Sequence, residues 1–440
     1  MKKLISLLLT LAMVLSICVI ATVSTSAATV DMTPATAFSG GSGTAEDPFQ
    51  ISTVGEWLLF AQALNNGTLA QSASLVLTAD IDFGGNVLPE VAGHSKGLTG
   101  NFDGQGHTIS GFVLNETTAS SADPYVALIG KAGGGKIANL KVDNATIVGA
   151  GTYTAPIVGY VSTTTTLENL YVGKNVTVTT PDALINDGIS PNIGGAIAHA
   201  RKATVKNVVS YATVAPKAVS KGANIGGVIG AIGHSGASFE NVAFYGAVTV
   251  TCDNPSDGGT TSVGGVVGSL GVKSYAAVPF KNVVNFGEVV ATGAKASAGG
   301  IAGLYNASKT PEFTFENCFN FSTKIEGNVN ASAFIGEDRT APTITYTECY
   351  SVEGATAAEG ITVKADAYTV KQETGYADVL AAIFAGVGEV DDPITPPAQP
   401  EEPENPKTGD ALGMTIAVAA CAIVMGSAAA FVLARKKENA

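Results

Sequence analysis

The chain has 440 residues, of which 46% are apolar, 14% charged and 7% aromatic, with a formal net charge of −13. That is enough apolar material for a sizeable core in one or two domains. An acidic chain with only three arginines, Arg201, Arg339 and Arg435, is a poor candidate for holding nucleic acid or anionic lipid through charge, and no nucleic-acid partner is expected.

Residues 1–28 read as a secretory signal peptide. Lys2 and Lys3 precede an apolar stretch from Leu4 to Ile20, and Ser26-Ala27-Ala28 supply small residues for cleavage. Residues 29–45 are polar and rich in Gly, Ser and Thr, and are expected to be a flexible N-terminal segment. A helix is predicted over Thr53–Asn66. Thr53 and Glu56 form a capping box, Val54, Trp57, Leu58, Ala61 and Leu64 make the apolar stripe, and Asn65-Asn66-Gly67 stops it. Placed at the open end of a stack of strands, this helix would cap it. SLVLTADIDF (74–83) and GLTGNFDGQGHTISGFVL (97–114) read as strand, turn and strand.

From there the chain repeats one plan, seen in NIGGVIGAIGHSGASFENVAFYGAVTV at 224–250. A Gly-Gly pair leads into a short apolar run closed by Gly or Ala, at Gly130, Gly159, Ala198, Gly230, Gly268, Gly303 and Gly336. A loop of varying length follows, then an apolar-x-Asn step at Asn139, Asn169, Asn207, Asn241, Asn282 and Asn317, with Glu348 in the last copy. Self-similarity at 29 to 39 residues, with short Val- and Ile-rich runs and no helical period inside a repeat, predicts an all-β fold. We expect a right-handed parallel β-helix, or β-solenoid, of about seven repeats over 46–360, with two or three short strands per turn. The Asn residues are suited to a stack in which each amide donates to one coil and accepts from the other; the alternative is a set of separate turn residues. Cys318 and Cys349 occupy equivalent positions in neighbouring repeats. Strands about 4.8 Å apart would strain a disulfide between them, and a buried thiol pair is expected.

Residues 361–390 lack the repeat and are read as a C-terminal cap, with a short helix at 376–384. Residues 391–406 are a proline-rich, acidic spacer. Asn405-Pro406-Lys407-Thr408-Gly409 then precedes a 24-residue apolar run, Ala411 to Ala434, long enough to span a bilayer, and Arg435-Lys436-Lys437 opens a cytoplasmic tail over 435–440.

Two resemblances follow from these residues. The order GSGTAEDPFQIST, helix, LTADIDF, GNFDGQGHTISG and Gly-Gly repeats resembles bacterial surface proteins that carry GLUG-type repeats, over roughly residues 41–350. That resemblance implies an extracellular parallel β-helix and brings no catalytic residues with it. The motif Asn405–Gly409, the apolar run and the basic tail resemble a Gram-positive cell-wall sorting signal of the LPxTG kind, with Asn405 where Leu is usual. The resemblance implies cleavage between Thr408 and Gly409 by a sortase transpeptidase, which hands Thr408 to a peptidoglycan amine. The protein would then be the sortase's substrate, membrane-anchored through 411–434 before sorting and wall-bound afterwards.

Residues for chemistry of its own are sparse. His94, His107, His199 and His234 form no zinc-peptidase HExxH motif, and no GxSxG nucleophile motif occurs. Carboxylates that could serve a glycosidase, a lyase or a cation are scattered: Asp80 and Asp82, Asp103, Asp143, Asp182 and Asp187, Asp253 and Asp257. Asp80 and Asp82 would share one face of a strand, yet capping of local backbone N–H groups accounts for them as well. Trp57 belongs to the helix stripe and is expected in the core. Tyr125, Tyr153, Tyr160, Tyr171, Tyr211, Tyr245, Tyr275 and Tyr305 fall near coil edges, where they could form a sugar-binding strip or pack half-buried. The loops 179–192, 251–263 and 305–313 are where contacts to a partner are expected. The sequence therefore favours a non-catalytic, wall-displayed binding or adhesion protein directed at host or glycan surfaces, with no cofactor and no metal. A surface carbohydrate-active enzyme and a structural surface protein are the alternatives.

Overall fold

The computed structural model describes residues 29–117, 125–181, 190–217, 222–233, 236–252, 260–271, 277–293, 295–305, 312–338 and 343–351, with residues 381, 383 and 385. All lie in the unit Met1–Glu389. The leader, the spacer, the sorting motif and the apolar run Ala411–Ala434 fall outside the described residues. Among those described, no helix is long and apolar enough to cross a membrane.

The fold is an all-β parallel solenoid. Among the described residues, seven rungs, joined by six axial steps, build two seven-stranded sheets that run beside a long twenty-stranded one. The coil Asn192–Val214 shows the plan. It holds four short strands, Asn192–Gly194, Ile197–Ala200, Ala203–Ser210 and Thr213–Val214, where two or three were expected. Each pairs in parallel with its counterpart in the next coil. Ile193, Ile197, Ala200, Val205, Val208 and Val214 are completely buried, so the core is one continuous apolar column along the axis. Where the inward position carries aromatics, they stack rung on rung. The ring centroids of Phe239, Phe280 and Phe315 are 4.8 Å apart at each step, and Tyr346 follows at 5.2 Å.

The Asn step is both a turn and a ladder. Asn139, Asn169, Asn207, Asn241, Asn282 and Asn317 all have φ between 52° and 58°, as does Glu348 at 52°. This left-handed conformation is one that Asn tolerates better than other residues with a Cβ. It bends the strand, so that Val205 and Val208, three apart, both face the core. The side-chain amides then line up head to tail. Asn169 Nδ2 donates to Asn139 Oδ1 at 2.7 Å, Asn207 to Asn169 at 2.8 Å, Asn241 to Asn207 at 2.8 Å, Asn282 to Asn241 at 2.7 Å and Asn317 to Asn282 at 3.4 Å. The first donor, Asn139, ends on the Asp103 carboxylate at 2.9 Å. An anion suits that end, where the aligned amides present their positive pole. A second ladder lies wholly inside. Asn285 Nδ2 donates to Asn320 Oδ1 at 2.9 Å and Asn320 Nδ2 to Ser351 Oγ at 3.2 Å, with both asparagines fully buried.

The long face also fixes register through charge. Glu168, Lys206, Glu240, Lys281 and Glu316 are axial neighbours of alternating sign. Lys206 lies 3.6 Å from Glu240 and Lys281 3.2 Å from Glu316. Exposed pairs of this kind contribute about 0–1 kcal/mol each, but a one-residue slip would lose the whole row.

The repeat glycines close a narrow arch between the two seven-stranded sheets. A Cβ on Gly194 would lie 1.9 Å from Ile197 O, and one on Gly230 2.6 Å from Ile193 N. Backbone meets backbone at these glycines and leaves no room for a Cβ, although the coil that carries Gly194 holds a buried Ala198 at the closing position. The Gly-Gly pair is confined to the four coils that carry Gly194, Gly226, Gly264 and Gly299; Ala127-Leu128, Ala155-Pro156 and Ser332-Ala333 occupy the turn in the others.

The N-terminal end is capped by α1, Val54–Asn66. Thr53 Oγ1 accepts from Glu56 N at 3.2 Å, and Glu56 Oε2 accepts from Thr53 N at 3.1 Å and Ser52 N at 2.7 Å. Gly67, at φ 83°, closes the helix on Ala63 O. Trp57, Phe60, Ala61 and Leu64 are fully buried, with Trp57 edge-on to both Phe60 and Phe102. Residues 29–45 are not the flexible tail expected from their composition. Met32 and Phe38 pack on the core, Ala35 N bonds Gly55 O at 2.8 Å, and Gln50 N bonds Gly40 O at 2.9 Å. Two apolar anchors and a few backbone bonds hold an otherwise polar run.

Candidate functional site

The described carboxylates singled out in the sequence serve as local caps and do not converge. Asp80 Oδ1 accepts from Thr108 N at 2.9 Å and contacts His107 Nδ1 at 3.1 Å, and the backbone bond is the main reason its carboxyl titrates below the usual range. Asp82 caps Gly84 N at 2.9 Å. Asp103 caps Gln105 N at 2.9 Å and founds the asparagine ladder. Asp143 reaches Asn175 N at 3.3 Å. Asp182, Asp187, Asp253, Asp257, His234 and Tyr275 fall outside the described residues, as does most of the loops 179–192, 251–263 and 305–313. Among the described residues, no group of three or more His, Cys, Asp or Glu is placed to hold a metal ion. Cys318 and Cys349 are free and buried. They bond the carbonyls of Phe280 and Phe315 at 3.6 and 3.3 Å, and burial pushes the Cys318 thiol up.

The tyrosines divide into two groups of different chemistry. Tyr171, Tyr211 and Tyr245 continue into Phe286 and Phe321 as one axial column. From Tyr211 onward the rings are nearly parallel, with centroids 4.8, 4.6 and 4.9 Å apart. Each ring covers its neighbour's faces, so the column presents edges and packs the corner of the coil.

The second group gathers at the outer edge of the first three coils, where two outward columns meet. Tyr125 and Tyr153 come from the strands Tyr125–Val126 and Tyr153–Thr154. Lys131, Tyr160 and His199 are register partners in the facing sheet. Tyr125 and Tyr153 stack at 5.5 Å, Tyr160 and His199 at 5.2 Å, and Tyr153 bridges to Tyr160 at 4.9 Å and to His199 at 5.6 Å. His94 abuts Tyr125 edge-on at 6.0 Å. Arg201 Nη1 lies 3.4 Å from Tyr160 Oη. Burial, with the Arg201 charge second, lowers His199 to about 4, so its ring is neutral at pH 7. Burial likewise raises Tyr153 to about 12. His199 Nδ1 is buried without a hydrogen-bond partner.

In the sequence Tyr125, Tyr153 and Tyr160 stand out only one by one; it does not bring them to His199, Arg201 and Lys131, because unequal loops separate the coils that carry them.

No protein-family model matches the chain. Halomucin of Haloquadratum walsbyi is 32% identical over 130 residues, which is 27% of this chain and 1% of that much longer protein. A crystal structure from Bacteroides ovatus, described as that of a candidate immunoglobulin A1 protease, is similar with a TM-score of 0.47 at 21% identity, covering 71% of this chain and 87% of that one.

Proposed function

We propose that the chain is a cell-surface binding protein of a Gram-positive bacterium, exported by its leader and of the GLUG-repeat kind. A sortase transpeptidase joins it to peptidoglycan through Thr408 of the Asn405–Gly409 motif. The proline-rich spacer then holds the solenoid out toward host or glycan surfaces. The observation that carries this reading is how the described carboxylates are used. Asp80, Asp82, Asp103 and Asp143 are each committed to backbone or amide hydrogen bonds, while tyrosine, histidine and unpaired cations crowd one outer edge. That inventory suits holding a ligand better than cleaving one.

Two measurements test it. Wall digests of an expressing Gram-positive host should release peptides that end at Thr408 in amide linkage to peptidoglycan; a chain recovered only in the membrane fraction would sink wall anchoring. Incubated with mucin and insoluble polysaccharides, the protein should be retained without releasing sugar ends or unsaturated products. Product release would replace this reading with an enzyme.

A further inference from the structure

We propose that the outer edge of the first three coils, built on Tyr125, Lys131, Tyr153, Tyr160, His199 and Arg201, is a binding site for acidic saccharides, those that carry carboxylate or sulfate groups among their hydroxyls. This rests on the surface-binding function above and names its ligand and place.

The cations come first. On the long face, Lys136, Lys206, Lys281 and Lys324 each lie beside a glutamate. Lys131 and Arg201 have no ion pair among the described residues, and neither do Lys96, Lys141, Lys202 and Lys295; what sets Lys131 and Arg201 apart is their place at the edge that carries the rings. Lys131 runs its stem over Gly97, and Arg201 is exposed beside the Tyr160 hydroxyl. Arg201 against the Tyr160 hydroxyl and Lys131 one axial step from Tyr160 put two positive charges at this edge, where an anion can be held. A guanidinium can grip carboxylate or sulfate oxygens with two parallel bonds.

The neutral polar groups come second. Tyr125 and Tyr153 make ring contacts but give their hydroxyls no protein partner. These groups can exchange hydrogen bonds with sugar hydroxyls beside the bound anion.

Ring geometry narrows the class further. Tyr125 lies flat on Tyr153 at 16°, and Tyr160 flat on His199 at 22°. Their faces are largely spent on each other, and the rings are left half-buried at the edge. Neutral glucans and nucleobases both need open ring faces and fit this edge poorly. A saccharide that offers charge and hydroxyls fits it well.

The fold does not require these side chains for packing. At the same register in the next three coils stand Asn224, Ser262 and Ser297 in one column and Ala231, Ser269 and Leu304 in the other. The solenoid continues there with neither ring nor cation.

The test uses the full chain in detergent. The probes are hyaluronan oligosaccharides for carboxylate, heparin oligosaccharides for sulfate, dextran as a neutral glycan and polyglutamate as charge without sugar. At least one acidic saccharide should bind well above dextran and polyglutamate, and which one binds decides between carboxylate and sulfate. Arg201→Gln should weaken that binding at least tenfold. Tyr153→Phe, which keeps the ring stack, should weaken it several-fold with the melting temperature unchanged. Acidic saccharides that bind no better than dextran, polyglutamate that binds equally well, or variants that bind like the wild type would each overturn the site. If the same chain is retained on mucin or a neutral polysaccharide and the variants do not alter that, the site fails while the surface-binding function stands. If it is retained on nothing, both fall.

Discussion

The first coil and the four Gly-Gly coils solve the same geometric problem with opposite materials. In the coils carrying Gly194, Gly226, Gly264 and Gly299, the arch between the two short sheets closes until backbone touches backbone. A Cβ on Gly268 would lie 2.3 Å from Ile225 N, and one on Gly303 2.3 Å from Val263 N. In the first coil the corresponding Gly130 faces side chains instead, Val91 Cγ1 at 2.9 Å and Tyr125 Cβ at 3.0 Å. There the outer edge is filled by the rings of Tyr125, Tyr153 and Tyr160. The long face holds the stack in register in both regions, so the arch is free to differ. Glycine makes it tight and chemically silent. Aromatic residues fill it with groups that can meet a ligand.

The largest effect should come from putting one methyl group into the tight arch. Gly268→Ala forces it against the backbone of both short strands of the preceding coil, at Ile225 and Gly230, and we expect a loss of about 3 kcal/mol or more. Gly130→Ala should cost about 1 kcal/mol, because side chains yield where backbone cannot. Thermal and denaturant melts of the two variants measure the difference. Equal losses would mean that the two arches are packed alike.

The asparagine ladder runs through both regions and should respond alike in each. Asn207→Ala removes one donor and one acceptor, strands Asn169 and Asn241, and places alanine at φ 53°. We expect a loss of about 2–3 kcal/mol. Asn207→Gly restores the backbone freedom but not the ladder and should cost about half as much. If both variants melt together, the turn carries nothing and the amides everything. If glycine melts like the wild type, the ladder is energetically idle.

Much of this scaffold was legible because the same residue type returns at each period. The asparagines and the closing glycines are of that kind; the Thr53–Glu56 capping box was legible as a local motif instead, and the structure holds all three where the sequence put them. Other features carry no such signal. The partner of a glycine cannot be read, since glycine marks a close approach without saying to what. Asn285 and Asn320 form their interior ladder in only two coils, with Ser210 and Phe244 in the register before them, so no repeat announces it. Lys131, Tyr160 and His199 are register partners separated by 29 and 39 residues, and unequal loops hide that convergence. Met32 and Phe38 are single apolar residues in a polar run, too sparse to predict that residues 29–45 pack on the core.

Acid should separate the two regions. Burial alone would raise the Glu56 carboxyl, but the bonds it accepts from Ser52 and Thr53 outweigh that and hold it below its usual 4.5. A lowered folded value means that its stabilisation is complete above about pH 4.5 and is lost as pH falls through the folded value. The cap contributes about 1 kcal/mol, all of it at the end that carries the aromatic coils. Below pH 4.5, amide exchange should therefore quicken in α1 and the first coils before it does in the Gly-Gly coils. Glu56→Gln should quicken it there already at pH 7 and abolish that step. Exchange that rises uniformly along the solenoid would show that the cap does not hold its own end.

The smallest effect should be a gain at the opposite end. The last described coil departs from the tight plan twice, with Ser332-Ala333 in place of Gly-Gly and Glu348 in place of Asn. Glu348 adopts the same left-handed backbone, at φ 52°, but a carboxylate cannot donate to Asn317 Oδ1, so the ladder stops one rung short. Glu348→Asn supplies the missing donor and a residue better suited to that φ, with an expected gain of about 0.5–1.5 kcal/mol. The same substitution in an Asn317→Ala background has no acceptor to reach and should return only the smaller part due to the backbone. A double-mutant cycle in thermal melts reads the two parts separately. A cycle with no coupling would mean that the rungs act singly, and that what joins the two regions is their strand pairing alone.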